Sequence, residues 1–233
     1  MKLNLQHSRT MAIVAAAILG VNNASAATVT PTFINVGTET GTAQDSGVWR
    51  ADLNGLGLTQ VGSISVSDSN SGVDGSPGAY SGFDIDALFL DIDGDYATTD
   101  DQHFASSFIF SAGSVRATSN STFDSNTSGA LNGSNADGTV DEAFATLNAI
   151  DAVFFGAGSL SLGDGGTLIA NFTPEVIVGS SLFIIGAEVG DNGESITGLI
   201  EVSDTPATVP LPAGLPMLLA GLGAMVGIRR RNS

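Results

Sequence analysis

Phe83-Asp84-Ile85-Asp86-Ala87-Leu88-Phe89-Leu90-Asp91-Ile92-Asp93-Gly94-Asp95, continuing to Asp100-Asp101, is the stretch around which the chain is organised. Its centre, residues 87–90, is apolar enough for a buried strand, and both flanks are acidic. Seven carboxylates lie between Asp84 and Asp101, with no Lys or Arg among them. Such a density repels itself unless solvent, protons or a cation separates the charges. Asp91, Asp93 and Asp95 alternate around Gly94, the spacing with which a tight loop turns several oxygens onto one ion. Ca²⁺ takes six to eight such oxygens at about 2.3–2.6 Å. The expectation is a core strand carrying an acidic loop to one end of a β-domain, with Ca²⁺ as cofactor. Asp84, Asp86, Asp91, Asp93, Asp95, Asp100 and Asp101 are the candidate ligands. The match to an EF-hand loop is partial: Tyr96 stands where the sixth position wants Gly, and Gln102 where the twelfth wants a bidentate carboxylate. A solvated acidic turn accounts for the same residues without an ion.

Both ends read as processing signals. Lys2 and Arg9 form a charged n-region, residues 11–20 an apolar h-region and Ala24-Ser25-Ala26 an A-x-A site, which places cleavage between Ala26 and Ala27. The apolar run is well short of the ~20 residues a membrane span needs. Residues 211–228 carry no charge and are long enough to span, and Arg229, Arg230 and Arg231 would hold the extreme C-terminus in the cytoplasm. Val209-Pro210-Leu211-Pro212-Ala213, the apolar run and the basic end together resemble the VPLPA form of the PEP-CTERM sorting signal. Pro-Leu-Pro stands where the commoner motif has Pro-Glu-Pro. The resemblance covers residues 209–233 and implies export by the general secretion route and transient anchoring in the inner membrane. It also implies removal of the tail by an exosortase-type protease and association with bacteria that make extracellular polysaccharide. A plain single-span anchor is the alternative. The plan is a signal peptide over 1–26, a body over 27–208 and a sorting tail over 209–233.

All 24 acidic residues lie in the body against two bases, Arg50 and Arg116, so residues 27–208 carry a formal charge of −22. That surface repels DNA, RNA and anionic headgroups, which excludes nucleic-acid partners, and it attracts divalent cations. Adaptation to salty water predicts the same excess. Cys is absent, so an exported domain must hold together by its core and its ions.

The body is rich in Gly, Ser, Thr, Asn and Asp, interrupted by short apolar runs. Strands are expected at residues 29–36, 47–53, 61–67, 87–90, 106–112, 153–155, 158–162, 167–172, 182–189 and 197–202. Residues 68–81 form a long loop that could fold over an ion, and residues 117–138 a polar loop with three glycosylation sequons that chance explains equally well. Residues 139–153 read as one short helix, because Ala143, Phe144, Leu147 and Ile150 recur at helical spacing behind Asp141-Glu142. Residues 206–210 are a linker to the tail. Leu162-Gly163-Asp164-Gly165-Gly166, the strand after it and Glu188-Val189-Gly190 resemble a jelly-roll module of bacterial exported proteins, over residues 159–203. That implies a galactose-binding-like sandwich. Gly165-Gly166 would supply the positive φ of a tight turn, and Glu188, Asp191 and Glu194 would cluster near one end. The fold class is all-β: a two-sheet jelly-roll β-sandwich with one short helix.

Little here supports catalysis. Without Cys, and with His103 the only His of the body, nucleophilic and zinc chemistry lack their parts. An Asp101–His103 pair is conceivable, though a polar loop position explains His103 as well. The expected function is a surface or matrix protein, structural or adhesive, stabilised by calcium and not an enzyme. A carbohydrate-binding module reading extracellular polysaccharide through Trp49 and Tyr96 is the alternative, with core filling the other role open to Trp49. A hydrolase using two of the carboxylates ranks last.

Overall fold

The computed structural model describes residues 26–39, 45–73, 75–118, 128–153, 157–189 and 199–208. The signal peptide up to residue 25, the whole 209–233 tail, and Asp191 and Glu194 lie outside the described residues. Among the described residues no helix is long and apolar enough to cross a membrane.

The chain forms β1 (Thr28–Val29), β2 (Ile34–Glu39), β3 (Ser46–Asp52), β4 (Gln60–Ser67), β5 (Asp84–Asp91), β6 (Gln102–His103), β7 (Ser107–Ser111), β8 (Leu160–Ser161), β9 (Thr167–Ile177), β10 (Phe183–Val189) and β11 (Leu199–Ser203). One sheet has the order β1-β11-β4-β9-β7, the other β2-β3-β10-β5-β6 with β8 also on β5. Every ladder is antiparallel. The chain crosses between sheets at each of the steps β3 to β4 to β5 and β9 to β10 to β11, so the two layers are interlocked. Residues of both inner faces meet in one core: Ile64 and Val66 of β4, Leu168, Ala170 and Phe172 of β9 in alternation, and Leu88, Leu90 and, across a register shift, Ile85 of β5.

β5 is buried along its whole length because both faces are covered. Leu88 and Leu90 enter the shared core, while Ala87 and Phe89 pack on the far side with Val48, Ile185 and Ala187, against Tyr96 and Ile150. That is why it reads as a continuous apolar run and not an alternating one. The expected strand at residues 29–36 is instead two strands in different sheets, broken around Pro31, which cannot donate to a ladder.

The expected helix at residues 139–153 is not formed; the segment is a series of turns. Its backbone groups are drawn to the open edge of β5. Leu147 O accepts from Leu88 N–H at 2.9 Å, Phe144 O from Gly158 N–H at 2.7 Å, and the Asp151 and Ala152 N–H groups both point at the Asp86 carboxylate at 3.1 Å. Leu147 and Ile150 are apolar because one plugs the shared core and the other covers Phe89. The spacing was helical by coincidence of two separate burials. The only helical turn among the described residues is 3₁₀, at Gly78–Tyr80.

The described part of the 68–81 loop is tied down by the chain's own Arg116. Arg116 donates through Nη1 to Gly72 O at 2.7 Å and through Nη2 to Gly75 O at 2.9 Å, with Nε 3.2 Å from Asp164. Asp68, buried, accepts from the N–H groups of Asn70, Phe83 and Gly165. Gly165 has φ +76°, as the turn requires. Of the sequons, Asn132 is fully buried with its amide on Ser159, so it is no acceptor for a glycan; Asn120 and Asn126 lie outside the described residues. The expected linker is docked at its start: Ala207 exchanges hydrogen bonds with Asn171, just after Thr205 O accepts from Ser63 Oγ.

Candidate metal centre

β5 ends at Asp91, between Phe183 of β10 and Gln102 of β6. The chain leaves through a ten-residue loop and returns at Gln102, so Asp91 and Asp101 stand at the two feet of one hairpin with Asp93 in its first turn. One carboxylate oxygen from each of Asp91, Asp93 and Asp101 lies within 4.8 Å of the others. Asp91 is fully buried. Its Oδ1 accepts from Gly94 N–H at 2.5 Å, and its Oδ2 has no hydrogen-bond partner; Asp101 Oδ1 is likewise buried and unpartnered. Burial raises the Asp91 pKa, the charges of Asp101 and Asp93 add to that, and the Gly94 N–H works against it. A buried carboxylate with one unpartnered oxygen, clustered with two more carboxylates, calls for an explanation.

The loop holds its shape by its own hydrogen bonds. Asp93 Oδ1 takes Asp95 N–H at 2.8 Å, and Asp95 Oδ1 takes Ala97 N–H at 3.2 Å. Gly94 turns the corner at φ +78°, and a Cβ there would sit 3.0 Å from Arg50 Cδ and Phe183 Cδ2. Arg50 lies over the Phe183 ring at 5.1 Å and donates through Nη1 to Gly94 O at 2.9 Å. The nearby base therefore braces the loop backbone and leaves the carboxylates to one another.

Of the other expected ligands, Asp95 and Asp100 are exposed and outside this cluster. Asp95 is displaced because its carboxylate caps the next turn. Asp84 and Asp86 sit at the opposite end of β5, ~16 Å or more from Asp91 at about 3.3 Å per residue. There the protein's own donors hold them: Ser161 Oγ for Asp84; Ser46 Oγ at 2.5 Å and two N–H groups for Asp86. Asp101 could have been ranked above Asp95 from the sequence by pairing Gln102 back onto Asp91. The two-residue strand that does so carries too little pattern to be seen.

Asp86 makes a separate prediction. Burial pushes its pKa up to about 6, against hydrogen bonds from Ser46, Asp151 and Ala152 and helped by the Asp151 charge. A carboxyl that holds its proton more tightly folded than unfolded stabilises below pH ~4 and loses that contribution as pH rises through about 6. The loss is ~3 kcal/mol at ~1.4 kcal/mol per tenfold. Asn keeps the acceptor and cannot ionise, so Asp86→Asn is expected to match the wild type at pH 4 and exceed it in urea midpoint at pH 7.5. Equal midpoints at pH 7.5 would contradict this.

The residues expected to read a sugar separate. Trp49 is 4 % exposed and belongs to the interior, closed over Gly47, where a Cβ would lie 2.4 Å from its ring. Core filling, and not stacking, is its role. Tyr96 lies on the acidic loop, with Phe89, Gln102 and Asn148 in the lining of a cleft of about 200 Å³. Burial and the neighbouring Glu39 raise its hydroxyl pKa. His103 pairs with Leu90 in β6. Glu188 is buried in β10.

No family model, curated protein or solved structure matches the chain.

Proposed function

We propose that the protein is an exported surface or matrix component, structural or adhesive, whose β-body is locked at one end by a calcium ion on Asp91, Asp93 and Asp101. The observation that carries this is the fully buried Asp91, whose Oδ2 has no hydrogen-bond partner, clustered with carboxylate oxygens of Asp93 and Asp101. An all-oxygen, triply anionic set suits a hard cation, and the loop supplies only part of the shell, leaving positions for water and carbonyls. Ca²⁺ offsets the mutual repulsion and ties both feet of the hairpin, so binding is coupled to folding.

The strand order supports reading the body as a jelly roll: β1, β11, β4, β9 face β3, β10, β5, β6, with β2 and β7 as added edges. Ala27 supports processing after Ala26. Its backbone N lies 3.0 Å from Asp204 Oδ1, and cleavage there would create an ammonium against that carboxylate. The sorting tail with Val209, Pro210, Leu211, Pro212 and Ala213 before its three arginines supports delivery by an exosortase-type system. Calorimetric titration tests the metal reading: one Ca²⁺ per chain is expected, lost in Asp101→Asn and retained in Asp100→Asn. Calcium binding unaffected by Asp101→Asn would overturn the assignment.

A further inference from the structure

The loop that brings Asp91, Asp93 and Asp101 together also carries Tyr96, Ala97 and Thr99, which form one wall of the 200 Å³ cleft. Asn148, Ala149 and Ile150 form the other wall and Phe89 the floor. Resting on the metal reading above, we propose that this cleft is a calcium-dependent binding site for an amino-sugar chain, protonated on its amines. Glu39 lines the same cleft as Tyr96, and none of the residues lining the cleft is basic. A carboxylate beside an aromatic ring is a site for an ammonium group. Ile150 and the Tyr96 ring, both half-buried over Phe89, offer an apolar surface for a sugar face, while the exposed Asn148 amide and Thr99 reach ring hydroxyls.

Those neutral polar groups select a sugar over a lysine side chain, which would use only the acid and the apolar wall. A second depression of about 130 Å³ continues past Asn148 to Phe104, Phe108 and Glu142, again aromatic with a carboxylate and an amide. Phe104 meets the Phe89 ring edge-on at 5.9 Å, so the two depressions share an aromatic divide. A linear polymer of repeating units fits two such sites in series. Anionic polymers are repelled by the surrounding charge of −22. Calcium enters because, without it, repulsion among Asp91, Asp93 and Asp101 loosens the feet of the loop whose middle is the wall.

The test is titration of the full chain with a β-1,4-glucosamine hexamer in calcium and in EDTA, Ca²⁺ binding itself being measured separately. The N-acetylated hexamer, the neutral glucose hexamer and hexalysine serve as comparisons. In calcium the glucosamine hexamer is expected to bind at least about tenfold more tightly than each comparison and than in EDTA. Tyr96→Ala and Glu39→Gln are each expected to weaken it about tenfold while leaving Ca²⁺ affinity unchanged. Normal Ca²⁺ binding with no hexamer binding, or hexamer binding indifferent to both substitutions, overturns the cleft and leaves the metal reading standing. Equal binding of hexalysine overturns the sugar assignment. Absence of Ca²⁺ binding overturns the metal reading, and sugar binding unchanged by EDTA overturns the coupling.

Discussion

Asp91→Asn is expected to raise the melting temperature in EDTA and to erase the increment that Ca²⁺ gives. The two effects have opposite signs because they come from one residue in two states. Without an ion, Asp91 is a buried carboxylate with an unpartnered Oδ2 and two carboxylates beside it, and its pKa is raised accordingly. Asparagine removes the charge and keeps the oxygen that accepts from Gly94 N–H, which is worth about 1–3 kcal/mol to the ion-free fold. With an ion, the same carboxylate is the centre of the site. At a concentration 100 times the dissociation constant, Ca²⁺ stabilises by about 2.7 kcal/mol, or roughly 5–10 °C for a domain of this size. The variant is expected to show almost none of it. A variant less stable in EDTA that still responds to Ca²⁺ would mean that Asp91 is a structural acceptor only.

Phe172→Ala is expected to give the largest loss of stability, about 3–5 kcal/mol, read as a lower urea midpoint with unchanged slope. Phe172 is 1 % exposed in the shared core, on the strand that joins β4 to β7. Its removal leaves a cavity between two sheets whose backbones are fixed by ladders on both sides, so collapse is limited. The loss is expected to be the same with and without Ca²⁺, since the cavity and the loop are separate. A cost below about 1 kcal/mol would show that the layers can close on the gap.

The sequence disclosed the strands that carry their own pattern. β4 alternates Ile64 and Val66 with serines, and β5 announces itself by its apolar run, so both were placed within a few residues. What stayed hidden was set by partners distant in the chain. The 139–153 segment has helical spacing, yet Leu88 N–H and the Asp86 carboxylate bind its backbone groups more specifically than a local helix would. Trp49 looked available for stacking because nothing in its own strand, where it closes over Gly47 two residues earlier, announces that it is 4 % exposed in the folded chain. In the acidic loop, composition pointed to the turn where the structure gathers three carboxylates and could not sort its members. Asp91 and Asp93 were legible from spacing, whereas Asp101 joins them only through the return at Gln102. Asp84 and Asp86 share the acidic stretch but sit at the other end of a straight strand, where Ser46 and Ser161 meet them.

The most direct test of the central claim is thermal unfolding of the purified protein in excess EDTA, then in millimolar Ca²⁺, with Mg²⁺ as control. A rise of several degrees with Ca²⁺ and little with Mg²⁺, whose smaller shell demands near-octahedral geometry, is the predicted result. Identical midpoints in all three conditions would contradict it and make Asp91, Asp93 and Asp101 an acidic cluster that the fold carries without calcium.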